Sequence, residues 1–289
     1  MADDTNRDTD RDVHLIVNPE RSDVADDVAD LADVIEEPDS ADALEHAARG
    51  AADADVVAAV GGDGTQRTVA EVLARRDASL LVVPAGTVNF LGRLHGIETT
   101  ADARRALVDG EDRAIDLGRA DGEAFLLNAS TGYDADVMAA IGDGAKRFGR
   151  LGIGLVGAAQ LTRARTHGCR VVVDGRELFD GRALTVLVMN VAQRGSTSFE
   201  LAPGAAPDDG RLHVVVVTGR GALVRSMWTV ARGGRPREDD VASGAGGEID
   251  VEWDVEVAAQ RDGDPADRGR RFHYDVEPGA VTLRVPRAS

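Results

Sequence analysis

An α/β domain with a doubly wound, mostly parallel sheet, followed by a β-rich second domain, is the fold class this sequence predicts. Two observations lead there. Over the first third, short apolar runs alternate with helix-patterned stretches, the rhythm of a parallel sheet. Past Asp116, strand-like runs follow one another through Gly- and Asp-rich turns. The length of 289 residues leaves room for two such domains with ample core.

In order, VHLIV (13–17), ended by Asn18-Pro19, reads as a buried first strand. Residues 40–52 carry a serine cap and helical spacing. DVVAAV (55–60) is a second strand, 66–76 a helix and LLVV (80–83) a third strand, after which PAGTVNFLGRLHGI (84–97) turns back toward a helix. In the second part, 124–130, 169–174, 183–192, 212–217 and 248–259 are strand candidates. Helical insertions fall near 150–163 and 221–232. The divisions are 1–117 and 118–279, with a last strand about 280–289 that can return to the first domain. The first ten residues read as a disordered tail.

Composition narrows the function. A net charge of −18 argues against nucleic acid, whose phosphates need a basic face. Lys146 is the single lysine and the remaining basic residues are arginines, a pattern that resembles proteins of salt-loving organisms. The one cysteine, Cys169, excludes a disulfide framework and reads as a core residue. The six histidines show no metal-ligand spacing. No apolar run approaches the roughly 20 residues of a membrane span, and the polar, acidic start lacks the order of a signal peptide. A cytoplasmic protein is expected.

The stretch AAVGGDGTQRTVAEVLA (58–74) carries the sharpest chemistry. Gly61, Gly62 and Gly64 let backbone N–H groups approach a ligand, and the helix that follows favours phosphate oxygens. The plainer reading is a tight turn with Thr65 as a helix cap. The turn lacks the lysine of a P-loop and the third glycine of a dinucleotide fingerprint. Asp63 beside phosphates calls for a divalent cation between them, which favours a Mg²⁺-nucleotide.

Six segments in order resemble the diacylglycerol kinase catalytic-domain family, including bacterial soluble diacylglycerol and related lipid kinases and sphingosine kinases. They are VNPERS (17–22), VGGDGT (60–65), VPAGTVNFLGRL (83–94), IDLGRADGEAFLLNASTGYDADV (115–137), FELAPGAAPDDGRLHVVVV (199–217) and RDGDP (261–265). The resemblance implies the NAD kinase/diacylglycerol kinase-like two-domain fold, with ATP in the cleft. It implies Asn18, Gly61, Gly62, Asp63, Gly64, Thr65, Gly86, Thr87 and Asn89 around the nucleotide. It implies a structural Mg²⁺ on the Asp209 carboxylate and the carbonyls of Ala206 and Arg211. Asp264 is then the general base, with Asp262 and Asp63 also catalytic. For Asp209 the plainer reading is ordinary D-D-G turn chemistry; for Asp262 it is a D-G turn closing a hairpin.

Three positions depart from the family pattern: Phe90 stands for an acidic residue, the glycine after the first N-P is absent, and Asp264 stands for glutamate. The expected activity is ATP- and Mg²⁺-dependent phosphorylation of a membrane lipid hydroxyl. The alternatives are an NAD kinase-like enzyme and a nucleotide-binding regulatory protein with little turnover. The stretch 146–165 has basic flanks around an apolar middle. It reads as a packed helix or as a lipid-facing one giving peripheral membrane contact. A homodimer is left open.

Overall fold

The computed structural model describes residues 11–21, 24, 26–86, 88–141, 149–193, 200–234, 236–237 and 239–287, without the side chains of 20 and 149–154. The first ten residues, read above as a tail, and Thr87 lie outside this set. The chain forms two compact units, Met1–Leu117 with Pro278–Ser289, and Gly118–Glu277.

Unit 1 is built on parallel strands β1 (Val13–Val17), β2 (Val34–Glu36), β3 (Val56–Gly61) and β4 (Ser79–Pro84), joined by the final residues of β14 (Asp264–Val285). Their order is β2-β1-β3-β4-β14. The pairings along this order are parallel, from His14 opposite Val34 to Leu283 opposite Leu80. All residues of β3 and β4 are buried. That explains their unbroken apolar runs, since a parallel sheet is covered on both faces. The helices are α1 (Ala41–Gly50), α2 (Asp63–Leu73), α3 (Phe90–Leu94) and α4 (Thr100–Asp109). Ser40 caps α1 by accepting from the Ala43 N–H, as its sequence position predicts. Helix α2 begins at Asp63, three residues before the predicted start. Two glycines in that turn weaken the local helix signal, so its start was not visible.

Unit 2 is β-rich. It takes in the end of β5 (Glu111–Ala120), then β6 (Glu123–Phe125), β7 (Asn128–Gly132), β8 (His167–Val173), β9 (Arg176–Ala183), β10 (Thr185–Met189), β11 (Leu212–Val217), β12 (Val241–Gly246), β13 (Glu248–Arg261) and the first part of β14. The path β12-β11-β10-β7-β13-β14 is antiparallel throughout. Strand β13 also pairs β8 through Ile249–Trp253, and a register shift after Glu252 releases it to β7 through Ala259–Arg261. Along β10, Val186 and Val188 join one core cluster, while Leu187 and Met189 join another on the opposite face. The single predicted strand 183–192 is therefore the end of β9, a break at Leu184 and β10.

Among the described residues, the helices that accompany these strands are α5 (Tyr133–Ala140), α6 (Gly149–Arg163) and α7 (Arg220–Val230). Cys169 is buried, and desolvation, with Asp254 and Asp180 nearby, pushes its thiol up to about 12. It is a core residue.

Candidate active site

The glycine turn sits at the carboxyl end of β3, beside the end of β4, where open α/β sheets receive ligands. Close packing accounts for two glycines here. A Cβ on Gly86 would lie 2.6 Å from the Gly62 Cα, and one on Gly61 would meet the buried Thr65 side chain at 2.5–2.9 Å. Gly62 and Gly86 are thus laid backbone against backbone.

Gly62 is the N-cap of α2 and offers no side-chain cap. The first N–H groups of a helix have no intrahelical partner. This eleven-residue helix therefore presents backbone donors and the positive end of its dipole at a strand terminus. Thr65 lies inside the first turn, so the reading of Thr65 as the cap is corrected.

The side chains of these turns do structural work. The Asp63 carboxylate accepts from the Leu91 N–H at 3.1 Å, capping the neighbouring helix α3. Asn89, at the left-handed φ of 49°, folds its amide back onto Gly86, accepting from its N–H at 2.7 Å and donating to its carbonyl at 2.8 Å. Asn18 closes β1, its own N–H donating to Val60 O at 2.9 Å. Phe90, at the position of the family's acidic residue, is 4% exposed and belongs to the core. Asn18, Gly61, Gly62, Asp63, Gly64, Thr65, Gly86 and Asn89 are all in unit 1, on the ends of β1, β3 and β4 and the helix starts beside them.

The aspartates read as functional in unit 2 are held differently. Arg261 pairs with Asp264 across a two-residue turn with φ of 48° at Asp262 and 93° at Gly263, the type I′ hairpin that Asp-Gly favours. The same turn recurs at Asp121-Gly122 and Asp174-Gly175. In each, the aspartate accepts from a neighbouring backbone. Asp121 takes the His273 N–H, and Asp174 takes those of Gly247 and Glu248. Asp262 takes three, from Leu126, Leu127 and Asn128, at 2.8–3.0 Å. Its carboxylate is an anchor for β7, and the hairpin reading of RDGDP is correct for Asp262. Asp264, the next strand residue, is exposed.

Below this hairpin lies a buried polar chain that sequence reasoning missed. Gln260 donates to Asn128 Oδ1 and Ser130 Oγ and accepts from the Gly263 N–H, while Ser130 donates to Asp134. Gln260, Asn128 and Ser130 are each at most 5% exposed, so the hairpin is fixed from beneath.

The Asp209 loop closes on itself. One carboxylate oxygen accepts from the Arg211 N–H at 2.9 Å; the other accepts from the Ala206 N–H at 3.2 Å and lies 2.8 Å from His213 Nε2. The Ala206 carbonyl accepts from the Asp209 N–H. All-oxygen donors suit Mg²⁺. Here, however, the carboxylate and one carbonyl already serve the loop, and as folded they do not fit a resident cation. Among the described residues no group of three or more His, Cys, Asp or Glu side chains could hold a metal. The turn-chemistry reading of Asp209 is the one the geometry favours.

A separate cavity of about 200 Å³ in unit 2 is lined by Tyr133, Asp136, His167, Trp253, Glu256 and Arg268 among others. Burial raises the Asp136 carboxyl above the ordinary carboxylate range, against the pull of Arg268. Gly132, Tyr133 and Asp136 of the segment 115–137 line it, but none of the residues predicted to be catalytic, nucleotide-binding or metal-ligating does.

A parallel-sheet unit with a glycine turn at its strand ends, followed by a β-rich unit, is the architecture of a kinase class that comparison identifies. Residues 14–120 match the diacylglycerol kinase catalytic domain, and 128–285 match the YegS C-terminal NAD kinase beta sandwich-like domain. The chain belongs to this kinase family. It is 33% identical over 237 residues to a Pseudomonas aeruginosa PAO1 protein described as "Probable lipid kinase YegS-like", covering 79% of this chain and 76% of that one. A Stenotrophomonas maltophilia protein of the same description is 30% identical over 253 residues, 80% and 79% of the two chains. A solved structure from Bacillus anthracis str. Sterne, described as a diacylglycerol kinase, shares the fold at TM-score 0.72 and 19% identity over 96% of this chain and 98% of its own. An Archaeoglobus fulgidus NAD kinase in complex with ATP shares it at TM-score 0.53 and 13% identity, over 95% and 93%. Among the described residues no helix is long and apolar enough to cross a membrane.

Proposed function

We propose that this protein is an ATP-dependent lipid kinase that transfers the γ-phosphoryl group to the hydroxyl of a diacylglycerol-like or other membrane lipid alcohol. The observation that carries the reading is the start of α2 without a side-chain cap, at the end of β3, with Gly62 lying close against Gly86. Such a terminus suits phosphate oxygens. Backbone N–H groups of Gly62, Asp63, Gly64 and Thr65 would hold the phosphates of Mg²⁺-ATP, with Asn18, Gly86 and Thr87 beside them. The Mg²⁺ arrives with the nucleotide as part of the substrate. Asp63 and Asn89 act by shaping the two turns.

In the reaction, the lipid oxygen bonds the γ-phosphorus as the bond to the β-phosphate oxygen breaks, and ADP leaves. A lipid hydroxyl is a weak nucleophile, and a carboxylate that accepts its proton assists. Asp264 takes that role: it is exposed on the first residue of β14, directly after a hairpin anchored by Asp262 and backed by Gln260. Incubation of the pure protein with γ-labelled ATP, Mg²⁺, a lipid extract and NAD tests the reading. Label in an extractable lipid supports it; label in NADP favours the NAD kinase-like alternative; ATP binding without any product favours the regulatory one.

A further inference from the structure

The acidic residues of this chain avoid one part of it. Residues 144–173 and 211–237 contain no Asp or Glu, although 51 of the 289 residues are acidic, and each segment holds six basic residues. These two segments supply α6 and α7, which lie side by side in unit 2. Arg220 donates to the Thr162 carbonyl at 3.3 Å, and a shallow groove of about 530 Å³ runs between Ala158, Leu161, Thr162 and Arg220, Gly221, Val224.

Of the seven exposed large apolar residues among those described, four lie on the same pair, the others being Val34, Ile35 and Val88. Val224, Met227 and Trp228 are 47%, 51% and 61% exposed, and Leu155 of α6 is 74% exposed. The spacing of 224, 227 and 228 puts three large apolar side chains on one ridge of α7, while Ala222 and Ser226 face inward. The exposed Arg232 guanidinium stacks on the Trp228 ring, 3.1 Å from its centroid. Arg163 and Arg165 are exposed at the end of α6. The acidic residues that follow α7 begin at Glu238; Asp239 is exposed, and Asp240 is buried and paired with Arg225.

We propose that the paired α6–α7 face is the surface by which the enzyme docks on an anionic lipid bilayer, Leu155, Val224, Met227 and Trp228 entering the acyl boundary and Arg163, Arg220 and Arg232 meeting headgroup phosphates. This rests on the lipid-kinase reading for its purpose, not for its existence. Charge complementarity selects the partner: two helices that carry arginines and no acidic residue of their own, on a chain of net charge −18, suit an anionic surface. Interfacial binding grows with buried apolar area and with attraction to anionic lipid, each basic residue contributing roughly fivefold at low salt.

Trp228 supplies the readout, because the other tryptophan, Trp253, is 2% exposed. Vesicles of phosphatidylglycerol are expected to shift Trp228 emission to the blue, and lipids brominated along the acyl chain to quench it, while phosphatidylcholine vesicles do neither. The shift weakens as salt rises. Val224→Asp with Met227→Asp, at exposed positions, should weaken vesicle binding at least tenfold with an unchanged circular dichroism spectrum. Arg220→Glu with Arg232→Glu should remove the preference for phosphatidylglycerol. No spectral change with either vesicle, or undiminished binding by the Val224/Met227 variant, overturns the proposal. So does a protein dimer that this variant dissolves, which would make the face a contact between copies. Vesicle binding without lipid phosphorylation would instead retain the docking face and reject the kinase reading. Phosphorylation of vesicle lipid at full rate by the Val224/Met227 variant would do the reverse.

Discussion

The glycine turn of unit 1 and the Asp-Gly turns of unit 2 are both short, polar and placed at strand ends, yet they are organised in opposite ways. In the first, side chains build the scaffold and the backbone is left to face outward: Asp63 caps α3, Asn89 clips Gly86, and the start of α2 has no side-chain cap. In the second, the backbone of one strand is gathered onto a carboxylate, three N–H groups on Asp262 and two on Asp174. An aspartate in a motif is thus no guide to reactive chemistry until its partners are known. Under the proposed function, unit 1 binds phosphate through its main chain, and Asp264, the residue after the anchored turn of unit 2, is the carboxylate for chemistry.

The largest effect expected follows from that last assignment. Asp264→Asn should lower kcat by about 10² to 10⁴ with ATP affinity little changed, as loss of a general base does. Asp264→Glu should keep appreciable activity. Steady-state kinetics on a lipid alcohol would check both, and a normal kcat in Asp264→Asn removes the base assignment.

Asp262 tests the other half of the comparison. Asp262→Ala leaves three N–H groups of buried residues without their acceptor, each worth about 1–3 kcal/mol. A loss of about 3 kcal/mol or more in denaturant unfolding is expected, against a smaller loss for Asp262→Asn, which keeps one oxygen and tolerates the left-handed φ. An Asp262→Ala variant that is fully stable but inactive would make Asp262 catalytic after all.

For Asp63 the two roles separate by substitution. Asp63→Ala removes the cap on α3 and should cost about 0.5–2 kcal/mol along with turnover. Asp63→Asn can still accept from Leu91 and should unfold as the parent does, so any loss of activity in it reports the charge alone. Equal destabilisation of both variants would contradict the capping role.

The smallest effect concerns the Asp209 loop. Because its carboxylate is closed by Ala206, Arg211 and His213, adding Mg²⁺ without nucleotide should leave the unfolding midpoint where sodium of equal ionic strength leaves it. A midpoint rise specific to Mg²⁺, lost in Asp209→Ala, would restore a structural cation there.

Part of this was legible in the sequence. Strand β13 alternates cleanly, with Ile249, Val251 and Trp253 buried between exposed Glu248, Asp250 and Glu252, and period-two patterning is the plainest strand signal there is. The first half of β14 was not found, because DPADRGRRFHYDVEP buries little beyond Phe272 and Tyr274 and its charges mask the alternation. Helix α4 was missed although Thr99 and Asp102 form a capping box ahead of buried Ala103, Ala106 and Leu107. The site was legible where it depends on glycines, since Gly62 and Gly86 mark close backbone approach. It was illegible where it depends on which backbone an aspartate meets. Asp262 finds its partners 134–136 residues away, a distance no local pattern reports.

The central claim is that the start of α2 holds the phosphates through its main chain. Amide hydrogen exchange of the full-length protein, with and without Mg²⁺-ATP, tests it most directly. The account predicts that exchange over residues 61–66 slows at least tenfold when the nucleotide binds, with the three Asp-Gly hairpins unchanged. Saturable ATP binding that leaves residues 61–66 exchanging as before would contradict it.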